Sequence, residues 1–354
     1  MNHNRSRVAY LAVCIFVTGL VSLFSAGCAN ERKAVRLYVD AVMLNEAGQN
    51  DKAIEKLNSA VRASKRFSPA YSLLGDIYQQ DKNYEKSIAS YEKATELNPW
   101  SFRDYLSMGK VYEVMERFSQ AVKAYTKACE LKPGSAEAYI DAAKCYYAVR
   151  DFNGVLAYGE RARKLDPNVS EIHRMLGDVY ESKKDHLQAI ASYKKAMETD
   201  NNNPAIMTSL AVVYLRTSQS EPARALLTSA IQIKPDSSAA YQYLGYCYLR
   251  LREETIESHK QELKADSNTP AAIETTIVEY LNEAIQSYSR AIEINNKDWE
   301  AYRGLGVAYM LRALDNKNDA LKAKAIEQWR ASLDIKPDQP RREKLLELMR
   351  KYSN

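Results

Sequence analysis

The feature that most limits the fold of this sequence is a unit of 34 residues that recurs along the chain. One copy, residues 68–99, shows the pattern. Tyr71, Leu74 and Tyr78 follow helical spacing and mark one apolar face. A second apolar face follows a short polar break and ends at Pro99, which supplies no amide donor and terminates a helix. Two short helices that are each apolar on one side cannot bury both faces alone, so they must stack on copies of themselves.

Shifts of 34 residues bring the same residue types to the same positions. In the first helix, one position always holds a small residue: Gly75, Gly109, Ala143, Gly177, Ala211 and Gly245. A tyrosine lies three residues later: Tyr78, Tyr112, Tyr146, Tyr180, Tyr214 and Tyr248. In the second helix, alanine recurs at Ala94, Ala128, Ala162, Ala196 and Ala230. Three residues before it stand Tyr91, Tyr125, Gly159, Tyr193 and Leu227. The small residues allow neighbouring helices to approach closely, and the large ones fill the gaps between them.

This pattern resembles the tetratricopeptide repeat (TPR), whose first helix carries an aromatic residue, Leu, Gly and Tyr, and whose second carries Ala, an aromatic residue, Ala and Pro. The resemblance implies an all-α fold, a right-handed superhelical solenoid of about eight helix–turn–helix repeats. The predicted repeats are residues 34–67, 68–101, 102–135, 136–169, 170–203, 204–237, 238–298 and 299–337. TPR arrays usually end in a solvating helix, which predicts a capping helix at residues 338–354; membrane contact by this basic amphipathic segment is the alternative.

The seventh repeat is interrupted by an insertion. Its second-helix positions reappear 27 residues late, at Ala284, Tyr288 and Ala291. Residues 252–265 contain no helix breaker, and Thr269 followed by Pro270 is typical of a helix N-terminus. The sequence therefore predicts a helical hairpin at residues 252–279, here called the spur, which projects about 20 Å at a rise of 1.5 Å per residue. The spur is either self-contained or a contact surface for a partner.

The N-terminus has the order of a secretory leader. Residues 2–7 are basic, residues 8–24 are apolar and uncharged, and small residues precede Cys28. The ending Ser-Ala-Gly-Cys resembles the processing site of bacterial lipoproteins, although Ser25 stands where Leu, Val or Ile is usual. The resemblance implies a signal peptide at residues 1–27, a diacyl lipid on Cys28, a tether at residues 28–33 and, from Ala29, sorting to the outer membrane.

Two alternatives to the lipoprotein stay open. Residues 8–29 are long enough to remain as an uncut membrane anchor. Cleavage by ordinary signal peptidase would instead give a soluble secreted protein. All three interpretations place the repeats outside the cytoplasm, and the first two anchor them in the cell envelope facing the periplasm.

No pattern in the sequence predicts an active site. The four histidines, His3, His173, His186 and His259, do not have metal-ligand spacing. Gly304 and Gly306 begin a dinucleotide-loop pattern, but its third glycine is missing. No phosphate-binding loop and no nucleophile elbow occurs. The sequence therefore predicts a non-enzymatic protein with no cofactor and no metal. The formal net charge of +5 is too small to indicate nucleic-acid binding.

Three cysteines, Cys129, Cys145 and Cys247, lie in the repeats. Cys129 and Cys145 fall on helices of adjacent repeats that should touch, and the predicted compartment is oxidising. A disulfide between these two cysteines is one interpretation, and buried free thiols are the favoured one.

A TPR array presents the inner faces of its first helices as a concave groove for peptides or partner helices. In repeats two to five, this face carries Asp76, Arg103, Lys110, Glu113, Lys144, Tyr147, Arg174, Asp178 and Glu181. Farther along it carries Val212, Leu215, Tyr246, Leu249, Val307 and Met310. The groove thus changes from charged to apolar, which suits a charged segment in one half and an amphipathic helix in the other. The alternative is that the spur or the C-terminal helix covers the apolar half.

Together these features predict a membrane-anchored TPR scaffold that gathers proteins in the bacterial cell envelope. The chain resembles bacterial TPR lipoproteins, including those that assist assembly of type IV pili or other envelope export machines. The alternative function is a regulatory subunit or adaptor of a cell-wall or polysaccharide enzyme complex.

Overall fold

The computed structural model describes residues 29–260 and 271–353. These residues form seventeen α-helices and no β-strand. In chain order the helices are α1 (Ala29–Glu46), α2 (Asn50–Ala63), α3 (Ser68–Gln80), α4 (Tyr84–Leu97), α5 (Phe102–Val114), α6 (Phe118–Leu131), α7 (Ala136–Ala148), α8 (Phe152–Leu165), α9 (Ser170–Ser182), α10 (His186–Thr199), α11 (Pro204–Arg216), α12 (Ser220–Ile233), α13 (Ser238–Ser258), α14 (Ala271–Ile294), α15 (Trp299–Asn316), α16 (Asp319–Ile335) and α17 (Arg342–Ser353). The all-α fold class predicted from the sequence is confirmed.

The turn between the two helices of a repeat contains one residue with left-handed backbone conformation. These residues recur every 34 positions, with φ between 56° and 72°: Gly48, Lys82, Glu116, Arg150, Lys184 and Ser218. The next position in the series is Arg252, which lies inside α13. The turn is therefore absent where the sequence predicts the insertion.

Polar side chains begin several of the first helices. Ser101, Ser135 and Ser237 each accept a hydrogen bond from the backbone N–H three residues later. Asn203 and Asp298 do the same before α11 and α15. These caps satisfy amide groups that have no partner inside the helix, so the starting points of the first helices follow from local chemistry.

The chain divides into two compact units, residues 1–154 and 155–354. In the first unit, each helix from α1 to α7 packs against the next, and α3 also contacts α1 and α5. In the second unit, each helix from α9 to α17 packs against the next, and α11 and α13 also contact each other. The buried cores consist of apolar residues from consecutive helices, as expected where each repeat contacts its neighbours.

Residue size is matched between the two helices of a repeat. A Cβ added to the first-helix glycine would lie 2.6–2.9 Å from ring carbons of the second-helix tyrosine, in the pairs Gly75 with Tyr91, Gly109 with Tyr125 and Gly177 with Tyr193. Where the second helix carries leucine instead, the first helix carries alanine, in the pairs Ala41 with Leu57 and Ala211 with Leu227. Glycine is thus required only where an aromatic ring packs against it.

The described parts of the spur lengthen both helices of the seventh repeat. At 21 residues, α13 is eight residues longer than α3, and at 24 residues, α14 is ten residues longer than α4. These additions extend the two helices by about 12–15 Å at a rise of 1.5 Å per residue. The prediction that the first of them continues to residue 265 is wrong because α13 ends at Ser258. There the Thr255 carbonyl accepts hydrogen bonds from both the His259 backbone N–H and the Ser258 hydroxyl. Thr269 and Pro270 lie outside the described residues.

Helices stand at both ends of the described array. Residues 29–33, predicted as a tether, belong to α1. Residues 30–33 are exposed polar side chains of its first turn, a composition that suits either a tether or a solvated helix end. Within the predicted C-terminal helix, α17 packs Leu345 against a buried cluster that includes Met310 and Trp329. The predicted signal peptide, residues 1–27, and Cys28 lie outside the described residues.

The three cysteines of the repeats are buried free thiols. The favoured interpretation of Cys129 and Cys145 therefore agrees with the structure, and no disulfide joins them. Burial raises the pKa of each of these two thiols, and that of Cys247, to about 12. Thiols with such pKa values carry almost no thiolate at neutral pH and are poor nucleophiles.

Candidate peptide-binding surface

In the first unit, the charged side chains predicted to bind a partner form ion pairs with one another. Arg103 on α5 forms an ion pair with Asp76 on α3. Lys110, also on α5, lies 2.5 Å from the carboxylate of Glu137 on α7. Both pairs join neighbouring first helices, and the two members of each are 27 positions apart in the sequence. A charged ligand would have to compete with these contacts.

The same is true of the predicted charged residues of the second unit. Arg174 lies 2.6 Å from Asp178 one helical turn away, and Arg216 lies 2.6 Å from Glu181 on the preceding first helix. Exposed ion pairs of this kind contribute little to stability, about 0–1 kcal/mol each. They nevertheless neutralise the surface, so net charge does not distinguish it as a binding site. Lys144 and Tyr147, the remaining predicted residues of the charged half of the groove, lie half-buried on α7 of the first unit.

Tyrosines of the second helices form hydrogen bonds with carboxylates of the same surface. The Tyr91 hydroxyl donates to Asp76 at 2.7 Å, and the Tyr193 hydroxyl donates to Asp178 at 2.6 Å. The Tyr125 hydroxyl donates to Glu113 at 2.8 Å. Burial raises the pKa of each of these three hydroxyls, so all three remain protonated donors. These carboxylates are therefore engaged within the protein.

A polar cavity of about 540 Å³ lies at the beginning of the first unit. This cavity, here called the polar pocket, is lined by Asn45, Leu73, Asp76, Gln79, Gln80 and Arg103. Burial raises the pKa of Asp76, while its hydrogen bond from Tyr91 and the charge of Arg103 oppose that change. The polar pocket can form hydrogen bonds with a ligand through these amide and charged side chains.

The predicted apolar residues of the second unit do not share one environment. Leu215 is only 5% exposed and belongs to a buried cluster, so its assignment to the groove surface is wrong. Met310 is also 5% exposed, because it packs in the cluster that contains Trp329 and Leu345. Helical spacing predicts which face of its helix a residue shares. It does not predict how far the neighbouring helices cover that side chain. Val212 is half-buried.

Tyr246 and Val307 remain open to solvent, at 43% and 37% exposure. With Leu249 they border a cavity of about 330 Å³ between α13 and α15. The cavity, here called the tyrosine pocket, is lined by Gln242, Tyr243, Tyr246, Leu249, Tyr288, Glu300, Arg303, Gly304 and Val307. In the described structure this part of the apolar surface is not covered by the spur or by α17.

A second apolar cavity of about 310 Å³ adjoins the first. This tail pocket is lined by Arg303, Val307, Trp329, Pro340, Arg341, Lys344, Leu345 and Leu348. The two pockets share Arg303 and Val307, so they are neighbours on the surface of α15. The residues predicted from the sequence for this surface did not include Tyr243, Tyr288 or Arg303, which line the pockets. One signal in the sequence does indicate this site. In the aligned repeats Tyr288 occupies the position of Tyr91, but Tyr246 occupies the position of Asp76, so the carboxylate is missing.

The described residues offer no site for a metal ion, because no group of three or more histidine, cysteine or acidic side chains lies close enough together. Among the same residues, none of the helices is both long enough and apolar enough to cross a membrane.

Sequence profiles of known families match much of the chain. Profiles described as tetratricopeptide repeat match residues 68–99, 105–135, 153–204 and 180–245, and one described as TPR repeat matches residues 280–311. Together these matches cover just over half of the chain, and none of them indicates a catalytic family. No curated protein matched the sequence.

Solved structures with a similar fold include the APC/C hetero-tetramer Cut9–Hcn1, at 16% identity and a TM-score of 0.50 over 88% of this chain and 55% of that chain. A MamA structure from Desulfovibrio magneticus RS-1 gives 21% identity and a TM-score of 0.42 over 48% of this chain and 96% of that one. Pseudomonas aeruginosa PilF gives 13% identity and a TM-score of 0.45 over 60% and 97%. The first likeness supports the fold and nothing beyond it. With the profile matches and the helix pairs of the structure, it shows that the chain is a tetratricopeptide repeat protein.

Proposed function

We propose that this TPR protein is a non-enzymatic scaffold that binds a segment of a partner protein along its first helices. The observation that carries the proposal is the exposed apolar surface of Tyr246 and Val307 around the tyrosine pocket. Grouped apolar side chains beside a cavity are typical of an interaction surface, and a groove between helices accepts a helix or an extended peptide. The self-paired charges of the other predicted residues favour this end of the array as the principal contact.

A photocrosslinking experiment tests the scaffold function. The photoreactive amino acid p-benzoylphenylalanine replaces Tyr246 in one variant, and Leu187 on the second helix α10 in the matched control. Both side chains are exposed, Leu187 at 81%. In cells of the source organism, irradiation should give a discrete crosslinked protein from position 246 and none from position 187. No adduct at position 246, or the same adducts at both positions, would contradict the proposal.

We further propose that Cys28 carries a diacyl lipid and holds the array at the outer membrane, facing the periplasm. The order of residues 1–28, basic then apolar then small before cysteine, supports this. Mass spectrometry of the mature N-terminus should find a chain that begins at Cys28 with the added mass of the acyl groups. Cys28→Ala should then be recovered unprocessed. A mature chain that retains Met1 would instead support the uncut anchor.

We propose that the scaffold assists the assembly of a pilus or another envelope export system. The resemblance of the chain to bacterial TPR lipoproteins supports this proposal. The identity of the protein crosslinked at position 246 decides this point. Pilus or secretion components would support the proposal, whereas peptidoglycan hydrolases or glycan synthases would support the alternative of an adaptor for a cell-wall enzyme complex.

A further inference from the structure

Tyr288 differs from its counterparts in the other repeats, because its hydroxyl group has no acceptor. The counterparts Tyr91, Tyr125 and Tyr193 donate to Asp76, Glu113 and Asp178 on the first helix of their own repeat. Tyr288 makes no hydrogen bond within the described chain, although it is only 3% exposed. The reason lies in α13, which carries Tyr246 and Leu249 at the positions of those carboxylates. The Tyr288 hydroxyl is not one of the fully buried polar atoms without a partner, so it is reachable from solvent through the pocket that its ring borders. A ligand in that pocket can therefore supply the acceptor that the chain does not.

The Tyr288 side chain lines the tyrosine pocket beside Gly304. A Cβ at position 304 would overlap the end of the Tyr288 ring, so the absence of a side chain at Gly304 leaves room for that ring. Burial raises the pKa of the Tyr288 hydroxyl, which keeps it protonated. The pocket therefore presents a neutral hydrogen-bond donor within an otherwise largely apolar wall.

Positive side chains outnumber negative ones around the two pockets, where Glu300 is the one acidic residue of the described lining. Arg303, Arg341 and Lys344 form no ion pair with any described residue. Arg303 donates to the Pro340 carbonyl at 3.2 Å and lies 4.9 Å from the centre of the Trp299 ring. Glu300 lines the tyrosine pocket but does not form an ion pair with Arg303. In contrast, Arg103 and Lys110 of the first unit are paired with carboxylates on neighbouring helices.

The two pockets also provide apolar surface for two bulky side chains. The tyrosine pocket offers Tyr243, Tyr246 and Leu249, and the tail pocket offers Trp329, Leu345 and Leu348. Because Arg303 and Val307 belong to both, a ligand that fills both pockets must pass directly over Arg303.

Resting on the proposed function, we propose that these pockets bind an acidic segment of a partner protein that carries two bulky apolar side chains. A carboxylate of the partner accepts the Tyr288 hydrogen bond and pairs with Arg303, and so takes the place of the carboxylate that other repeats carry themselves. The apolar side chains enter the tyrosine pocket and the tail pocket on either side of it. Arg341 and Lys344 favour further acidic residues at the tail-pocket end.

Selection from a phage-displayed library of random 12-residue peptides on the full chain tests this chemistry. The recovered peptides should be rich in Asp and Glu next to Phe, Trp, Tyr or Leu. Affinity of fluorescein-labelled synthetic copies is then measured by anisotropy on the wild-type chain and its variants. Tyr288→Phe should weaken binding roughly 10- to 100-fold, the range for a lost hydrogen bond to a charged group. Arg303→Gln should also weaken binding and reduce its dependence on salt concentration.

Tyr193→Phe is the matched control, because its hydroxyl donates to Asp178 inside the protein. It should lower the midpoint of thermal unfolding and leave peptide affinity unchanged, whereas Tyr288→Phe should leave the midpoint unchanged. Selected peptides that are basic or uncharged, or whose affinity Tyr288→Phe and Arg303→Gln do not alter, would overturn the inference while leaving the scaffold function in place. Failure to select any peptide would count against both.

Discussion

Gly48 shows how backbone conformation at a single residue supports a turn. Its φ is +72°, and a Cβ added there would meet no atom within 4 Å. Gly48→Ala therefore tests backbone strain without any steric clash. We expect it to lower the free energy of unfolding by about 1 kcal/mol, because L-residues disfavour the left-handed region. Urea unfolding followed by circular dichroism measures the change.

Gly134 provides the control for this substitution. It also has open space around its Cα, but its φ is not positive. Gly134→Ala should leave stability unchanged or raise it by about 0.5 kcal/mol, through the reduced entropy of the unfolded chain. An equal loss of stability in the two variants would show that strain at Gly48 is not the cause.

Asp141 on α7 predicts a pH dependence of stability. Burial, with the nearby charge of Glu113, raises the pKa of Asp141 to about 6, while Lys144 and Lys110 act in the opposite direction. The folded chain therefore binds a proton more tightly here than the unfolded chain does. This residue's contribution favours folding below about pH 4 and is lost as the pH rises through about 6.

Asp141→Asn should accordingly increase stability at pH 7.5 and have little effect at pH 4. Thermal unfolding midpoints at the two pH values measure the difference. Glu198→Gln, which removes an exposed carboxylate paired with Lys195 and does not act on Asp141, should give no increase at pH 7.5. A midpoint of Asp141→Asn below that of the wild type at pH 7.5 would refute the assignment.

At the scale of the helix pair, the size of one residue depends on the size of another. The pairing of glycine with an aromatic residue, and of alanine with leucine, is visible in the aligned repeats, and the structure shows the ring contact that couples the two positions. Gly177→Ala should cost roughly 1–3 kcal/mol of unfolding free energy, because its Cβ would lie 2.7–2.9 Å from the Tyr193 ring. Tyr193→Leu alone should also destabilise, through a cavity and the lost bond to Asp178.

The double variant Gly177→Ala/Tyr193→Leu reproduces the pair Ala211 and Leu227 of the next repeat. Its loss of stability should be smaller than the sum of the two single losses by about 1–3 kcal/mol, as measured in a double-mutant cycle by urea unfolding. Gly177→Ala/Tyr193→Phe keeps the ring and should show no such relief. Strict additivity in the first cycle would mean that the two positions are not coupled by packing.

The helices and their order were predictable because every repeat places the same residue types at the same positions. A fixed period places glycine, tyrosine and alanine on the buried faces, and Tyr71 and Leu74 mark one of those faces without any knowledge of distant contacts. The surface was less predictable. Burial of Leu215 depends on how closely neighbouring helices approach, and the pairing of Arg103 with Asp76 depends on side-chain conformation. Neither is specified by helical spacing alone.

At the scale of the whole molecule, the spur should be dispensable for folding, because a repeat array is stabilised mainly by contacts between neighbours. Replacement of residues 251–280 by Asp-Lys-Asn, the turn at residues 81–83, restores a 34-residue seventh repeat. We expect the shortened chain to keep its helical circular dichroism per residue and its crosslink at position 246. It should lose about 1–3 kcal/mol of stability, because the buried Ser220 hydroxyl loses its acceptor Glu254.

Ser220→Ala in the shortened chain should recover part of that loss, whereas in the full chain it should be destabilising. A shortened chain that folds but no longer crosslinks would show instead that the spur contacts the partner, and one that fails to fold would show that the seventh repeat depends on the spur.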